Sequence, residues 1–443
     1  MSSTPAPAPS GAGSINDARE KVRTSDFFAL CYLMLCQLSY ADENDGGAAV
    51  KQIRDSLVNM PTPQEGTVAG QWRLGWGPQV PDNGSNSNLM YAAEFVDKAT
   101  GTPVFTAVVI RGTDTEAKPS GILQQLIEDL DAADQVTFPA GNQTGSKIAQ
   151  GTSDGLTILT GFKDPVTGKT VTEYLQNFLT TNPEAPVVVT GHSLGGCQTT
   201  VMAVHLATTL PANLLARTAI VPNSFAAPSA GNSQFIQLYE QKFPFSPRWF
   251  NTLDLVPNAF ASLSNIKALW KTCDRPAPLL VKIAIEGFKL VLELAGVSYA
   301  QETDDESRTL NGQCQIPATP NTVSTQTENQ TVQEIKTLLQ NEVQKHLAAG
   351  RIPAILKRLE GDLSDGPVFN FLDNVAAHLV PQKFVDLAIQ HLSLNDLTGW
   401  VQELLFQHLI LTGYWNSVAA AKGVAPIPNP FVQVAAAGAG KTD

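Results

Sequence analysis

Pro186 opens a run of three valines, Val187-Val188-Val189, that leads through Thr190 into Gly191-His192-Ser193-Leu194-Gly195. A short β-branched run of this kind matches a strand buried on both faces of a parallel sheet. Beyond the turn, residues 198–210 are rich in Ala, Val, Met and Leu and predict a helix. A serine inside G-x-S-x-G, set between strand and helix, sits on a tight turn. Its neighbours must be small because the two elements approach closely there. The pattern has a plainer reading, a glycine-rich turn with an idle serine, and the strand and helix on either side weigh against it. No other stretch restricts the chain as much, since it demands a parallel sheet with a helix leaving its carboxyl end.

The rest of the chain follows that plan. Residues 88–96 and 103–110 predict paired strands around the turn signal Asp97-Lys98-Ala99-Thr100-Gly101. Residues 121–131 carry Ile122, Leu123, Leu126, Ile127 and Leu130 at helical spacing, 141–155 read as a polar loop, and 170–180 as a helix. Strands are expected at 217–227 and 248–257. Alternation of this kind indicates an α/β fold with a central, mostly parallel sheet. Residues 48–60 predict a helix, as do 27–36, with Ser25-Asp26 as the N-cap. The apolar run 27–36 is too short to cross a bilayer, and Leu38-Ser39-Tyr40 offers no signal-peptidase site. The expected organisation is a flexible tail (1–22), an α/β core (23–260), a helical cap insertion (261–396), a closing core segment (397–422) and an irregular tail (423–443). Within the insertion, residues 278–296 predict a helix with one polar stripe, Lys282, Glu286, Lys289 and Glu293, whose opposite charges can pair.

A chain of 443 residues with 43% hydrophobic and 16% charged residues can bury a sizeable core. A net charge of −12 with no Lys/Arg cluster gives no electrostatic footprint for nucleic acid or an anionic membrane. The five cysteines, at 31, 36, 197, 273 and 314, are odd in number and scattered, which argues against a disulfide framework and for a reducing compartment. No metal-ligand spacing occurs, so neither metal nor cofactor is expected. The expected location is cytoplasmic, or exported without a cleavable signal peptide.

A serine hydroxyl attacks an ester at neutral pH only with a base in reach, so Ser193 needs a histidine, and that histidine an acid. In hydrolases of this architecture the acid and then the histidine follow the serine in the chain. Asp254 follows a predicted strand and precedes Val256-Pro257, whereas Asp304 and Asp305 lie in a polar cluster. His192 and His205 precede the aspartate, and His192 reads as a packing residue pointing away from Ser193. His346, His378, His391 and His408 remain open as the base. The amide of Leu194, at the new helix's N-terminus, is a candidate oxyanion donor. Thr113, directly after Arg111-Gly112 at a strand end, is another, through its amide and hydroxyl; Arg111 reads as a structural partner.

Four stretches together resemble the class 3 lipase family of α/β-hydrolases: Arg111-Gly112-Thr113, residues 190–196, residues 225–232 and Asn251-Thr252-Leu253-Asp254-Leu255-Val256-Pro257. Gln407-His408-Leu409 with Tyr414 is a looser fifth match. The resemblance implies an α/β-hydrolase fold with a lid at about 114–150 and a large helical insertion between catalytic aspartate and histidine. It implies Ser193 as nucleophile, Asp254 as acid, His408 as base, and Thr113 with Leu194 as the oxyanion hole. The expected activity is that of a lipase or esterase working through an acyl-enzyme on a lipid or other acyl ester, with transient contact at a lipid interface. Phospholipase A1 or thioesterase activity is the alternative within that class. A non-catalytic hydrolase fold that binds a protein partner is the alternative outside it.

Overall fold

The computed structural model describes residues 14–40, 46–60, 68–80, 88–112, 134–139, 145–269, 295–303, 308–314 and 406–422, with isolated positions between these segments. A seven-stranded sheet runs through the molecule. From one edge to the other its strands are β1 (Gly70–Gln79), β2 (Met90–Asp97), β3 (Pro103–Ile110), β6 (Val187–His192), β7 (Ile220–Phe225), β8 (Arg248–Asn251) and β9 (Thr309–Leu310). β1, β2 and β3 pair antiparallel; from β3 onward every pairing is parallel. A separate ribbon pairs β4 (Gln135–Thr137) with β5 (Lys147–Ala149).

Alternate side chains of each central strand feed two different cores, as a pleated sheet covered on both faces requires. Val187 and Val189 enter one cluster with helices α4 (Gln150–Gly161), α5 (Val171–Thr181), α6 (Leu194–Thr209) and α7 (Ser233–Lys242). Val188 enters the other, beside α1 (Ile15–Thr24), α2 (Ala29–Leu38), α3 (Gly46–Asn59) and α8 (Trp415–Ala421). β2 and β3 are buried along their whole length, and their sequences are mostly apolar with Glu94, Asp97 and Thr106 as the polar exceptions.

Several expectations need correction. Residues 15–22 are not a flexible tail: α1 begins with a Ser14 capping box, buries Ala18 and Val22, and anchors through Arg19 to the carbonyls of Pro103 and Val104. Ser25-Asp26 does not cap α2, which starts behind Phe28 without a side-chain cap. Asp26 is drawn instead into long-range pairs with Arg308 (3.0 Å) and Lys422 (3.2 Å). The supposed loop 141–155 contains β5 and the first half of α4. Gly155 misled that reading, because it lies inside the helix where a Cβ would collide with the Gln198 side chain. β1 was not foreseen at all, since Gly70, Gly75, Gly77 and Pro78 break its apolar pattern. Cys314 is disulfide-bonded, while Cys31, Cys36 and Cys197 are buried free thiols, so an odd, scattered set does not preclude a bridge.

Thr113, His346, His378, His391, most of the proposed lid and most of the insertion lie outside the described residues. At the described positions of the 278–296 helix, Ile285, Phe288 and Leu292 are buried in the first core cluster. Of the polar stripe, Glu286, itself buried, meets Lys289 at 3.7 Å, and it also meets Lys267 from outside the stripe.

Candidate active site

The helix α6 begins on the residue after Ser193, and the turn between β6 and α6 is as tight as a chain can make it. Ser193 adopts φ 60°, ψ −127°, a backbone conformation that costs a non-glycine residue of the order of 1–3 kcal/mol. The surroundings hold it there: the Ser193 amide donates to the Phe225 carbonyl (2.9 Å), and its carbonyl accepts from Gly196 (2.9 Å) and Cys197 (3.2 Å). The glycines of the motif are demanded by contact. A Cβ on Gly191 would strike the Gly195 carbonyl, and one on Gly195 would strike the carbonyl of Ile110. The amide of Leu194 is the first of α6 and has no acceptor within the helix, so it stands at the positive end of the helix dipole.

Three side chains distant in sequence meet at this turn. Ser193 Oγ lies 2.8 Å from His408 Nε2, and His408 Nδ1 lies 2.9 Å from Asp254 Oδ2. Asp254 and His408 are fully buried and Ser193 is 2% exposed. A carboxylate only accepts, so His408 carries its proton on Nδ1 and donates it to Asp254. Nε2 is thereby left with its lone pair toward Ser193, and the serine hydroxyl donates to it. This tautomer is the one a general base requires.

Each element contributes one part of the arrangement. Asp254 sits just past β8, where its Oδ1 accepts from the Val256 amide (3.0 Å) at the start of a short 3-10 turn. His408 ends a helical segment and is followed by a π-helical turn, Ile410–Tyr414. That turn folds back tightly enough that a Cβ on Gly413 would hit the Gln407 carbonyl. It delivers the Tyr414 hydroxyl to Asp254 Oδ2 at 2.7 Å. Burial, and next the charge of Asp254, push the Tyr414 phenol well above its ordinary pKa, so it stays protonated and donates.

Other residues that sequence reasoning did not assign join the site. Asn251 Nδ2 donates to the backbone carbonyl (3.1 Å) and side-chain oxygen (2.7 Å) of Gln407. Gln407 Nε2 in turn donates to Glu403 (2.7 Å) and the Gln313 carbonyl (2.8 Å). This buried amide pair fixes the segment bearing His408 against the end of β8. The signal was present in part, since Asn251, Gln407 and Tyr414 all fall inside matched motifs, but nothing in the chain says which of them touch. His192 also joins the site. It is buried as a packing residue would be, and its ring lies 4.8 Å from that of His408. Arg111, 3% exposed, places its guanidinium 5.6 Å from the centre of the Tyr40 ring. Among the described residues, no cluster of His, Cys, Asp or Glu could hold a metal ion.

Residues 107–263 match the family model of the class 3 lipases, a span that contains Ser193 and Asp254 but not His408. Among solved structures, M37 lipase is similar at 22% identity, covering 65% of this chain and 85% of its own, with a TM-score of 0.49. A mutant form of MDLA from Penicillium cyclopium is 17% identical over 53% of this chain and 74% of its own (TM-score 0.35). Lipase II from Rhizopus niveus is 17% identical over 56% and 77% (TM-score 0.36). No curated protein matches the chain in sequence.

Proposed function

We propose that this chain is a serine carboxylic-ester hydrolase of the lipase type, with Ser193 as nucleophile, His408 as general base and Asp254 as the acid that orients it. The observation that carries the reading is the continuous hydrogen-bond path from Ser193 Oγ through both nitrogens of His408 to Asp254 Oδ2, at 2.8 and 2.9 Å. The match of residues 107–263 to the class 3 lipases supports the same chemistry.

In the proposed reaction, Ser193 Oγ attacks the acyl carbonyl carbon as its proton passes to His408 Nε2. The carbonyl oxygen gains negative charge and is stabilised by the Leu194 amide, with Thr113 as the second donor expected from the resemblance. The imidazolium, held by Asp254, then protonates the departing alkoxide, which leaves an acyl-serine ester. Water enters, gives its proton to His408 and attacks the acyl carbon; the fatty or other carboxylic acid departs and the serine regains its proton. No metal or cofactor enters these steps. The proposed substrates are acylglycerols or other acyl esters met at a lipid surface. No helix among the described residues is long and apolar enough to cross a membrane. The disulfide at Cys314 favours an oxidising compartment over the reducing one first expected.

The test is labelling with a fluorophosphonate together with hydrolysis of p-nitrophenyl esters. Stoichiometric labelling that disappears in Ser193→Ala supports the reading; labelling that survives the substitution overturns the assignment of Ser193. A folded protein inert to both reagents favours the non-catalytic alternative. Relative rates on acylglycerols, phospholipids and acyl thioesters then separate lipase from phospholipase and thioesterase.

A further inference from the structure

His192 stands directly before Ser193, and its imidazole is fully engaged. Nε2 lies 2.9 Å from the main-chain carbonyl of His408, and Nδ1 lies 3.0 Å from the Tyr40 hydroxyl. A carbonyl only accepts, so Nε2 carries the proton; Nδ1 of the neutral ring is then an acceptor, and the Tyr40 hydroxyl donates to it. The ring is 2% exposed, tilted 37° against His408 and edge-on to Tyr414 at 5.7 Å.

This bond joins the backbone of the segment bearing His408 to the end of β6, beside the Ser193 Oγ–His408 Nε2 contact at 2.8 Å. His192 and His408 are 216 residues apart. Among the described residues, Asn251 and Gln407 also hold the segment bearing His408 to the end of β8. Resting on the hydrolase reading above, we propose that His192 is a positioning residue: its Nε2–H pins the His408 backbone to the backbone bearing Ser193, and Tyr40 holds the imidazole in the tautomer that can do so. The base is thereby registered against the nucleophile through a single intervening side chain. A displacement of the base of about 1 Å is enough to lower a rate on the order of a hundredfold, so such a link acts on turnover more than on substrate binding. Burial, and next the nearby charge of His408, hold His192 well below the ordinary histidine pKa, which keeps the ring neutral and this tautomer in place. During turnover it remains neutral while His408 becomes a cation beside it.

A ring present only for packing could be replaced by another ring, and a positioning ring could not. His192→Phe keeps the volume and removes both bonds. His192→Gln places an amide donor near the Nε2 position, and His192→Asn places one near Nδ1. The expected result with p-nitrophenyl esters is a kcat about 10–100-fold lower in His192→Phe and His192→Asn, at a KM within about twofold of the parent. His192→Gln is expected to retain kcat within about fivefold, and Tyr40→Phe to fall between the two groups. Thermal unfolding run in parallel reports which variants fold, and if His192→Phe does not, the Gln and Asn pair decides. Parent-like kcat in His192→Phe, or equal losses in the Gln and Asn variants, overturns the positioning role. Fluorophosphonate labelling of the parent separates the two levels. A labelled parent with insensitive variants overturns only the role of His192, whereas an unlabelled parent overturns the hydrolase reading and this role with it.

Discussion

Tyr414 donates its hydroxyl to Asp254 on Oδ2, the carboxylate oxygen that also receives the Nδ1–H of His408. Two donors thus share one oxygen, while Oδ1 takes the Val256 amide. A fully buried carboxylate is costly unless its lone pairs are used, and here three hydrogen bonds use them. Tyr414→Phe removes one and leaves the Asn251 amide without its 3.2 Å acceptor. The expected outcome is a loss of about 1.5–3 kcal/mol in stability and a fall in kcat of up to about tenfold, read by urea unfolding and ester hydrolysis.

Asp254→Asn changes the chemistry more than the shape. The side-chain oxygen is retained by the Val256 amide, so the new NH2 group faces His408 Nδ1. Nδ1 must then accept, Nε2 takes the proton, and no lone pair remains toward Ser193. A loss of kcat of about ten-thousandfold is expected, with circular dichroism unchanged.

Two glycine substitutions should have opposite signs. At Gly195 a Cβ meets the Ile110 carbonyl and lies 2.8 Å from the Arg111 backbone, none of which can swing aside. Gly195→Ala is expected to cost at least about 1–3 kcal/mol and to abolish labelling of Ser193. Gly161 ends α4 with nothing within 4 Å of a built Cβ. Gly161→Ala is expected to raise stability by about 0.4–1 kcal/mol, which thermal melts would detect.

Burial lowers the pKa of both His192 and His205 from 6.5. Below pH 6.5 the unfolded chain therefore binds protons that the folded protein refuses, and stability falls as the solution is acidified. Each such histidine adds a slope of up to about 1.4 kcal/mol per pH unit below that point and none well above it. Urea midpoints measured from pH 8 to 5 are expected to fall less steeply in His192→Gln than in the parent. Identical slopes would contradict a buried neutral His192.

The legible part of the molecule was its local part. The valine run, the elbow glycines and the hairpin turn at 97–101 each announce themselves, because a strand period or a tight turn constrains residues within a few positions. Misreadings arose where a residue's local meaning was overridden from a distance. Gly155 reads as a loop residue but is a contact point for Gln198 inside a helix. Asp26 reads as a helix cap but pairs with Arg308, 282 residues away. His192 reads as packing and is buried, but nothing near it in the chain shows the His408 carbonyl it also reaches.

By itself the sequence pointed to a parallel sheet presenting Ser193 on a tight turn at the start of a helix, since a G-x-S-x-G between a valine run and an apolar helical stretch fits that turn. It narrowed the acid to Asp254 through strand order, and left four histidines whose helical surroundings look alike. Only the tertiary structure decided that His408 lies against Ser193, with Tyr414, Asn251, Gln407 and His192 around it. The physical reason is range. A hydrogen bond between side chains more than 150 residues apart leaves no periodicity in the chain, and it exists only once two packed cores have brought its ends together.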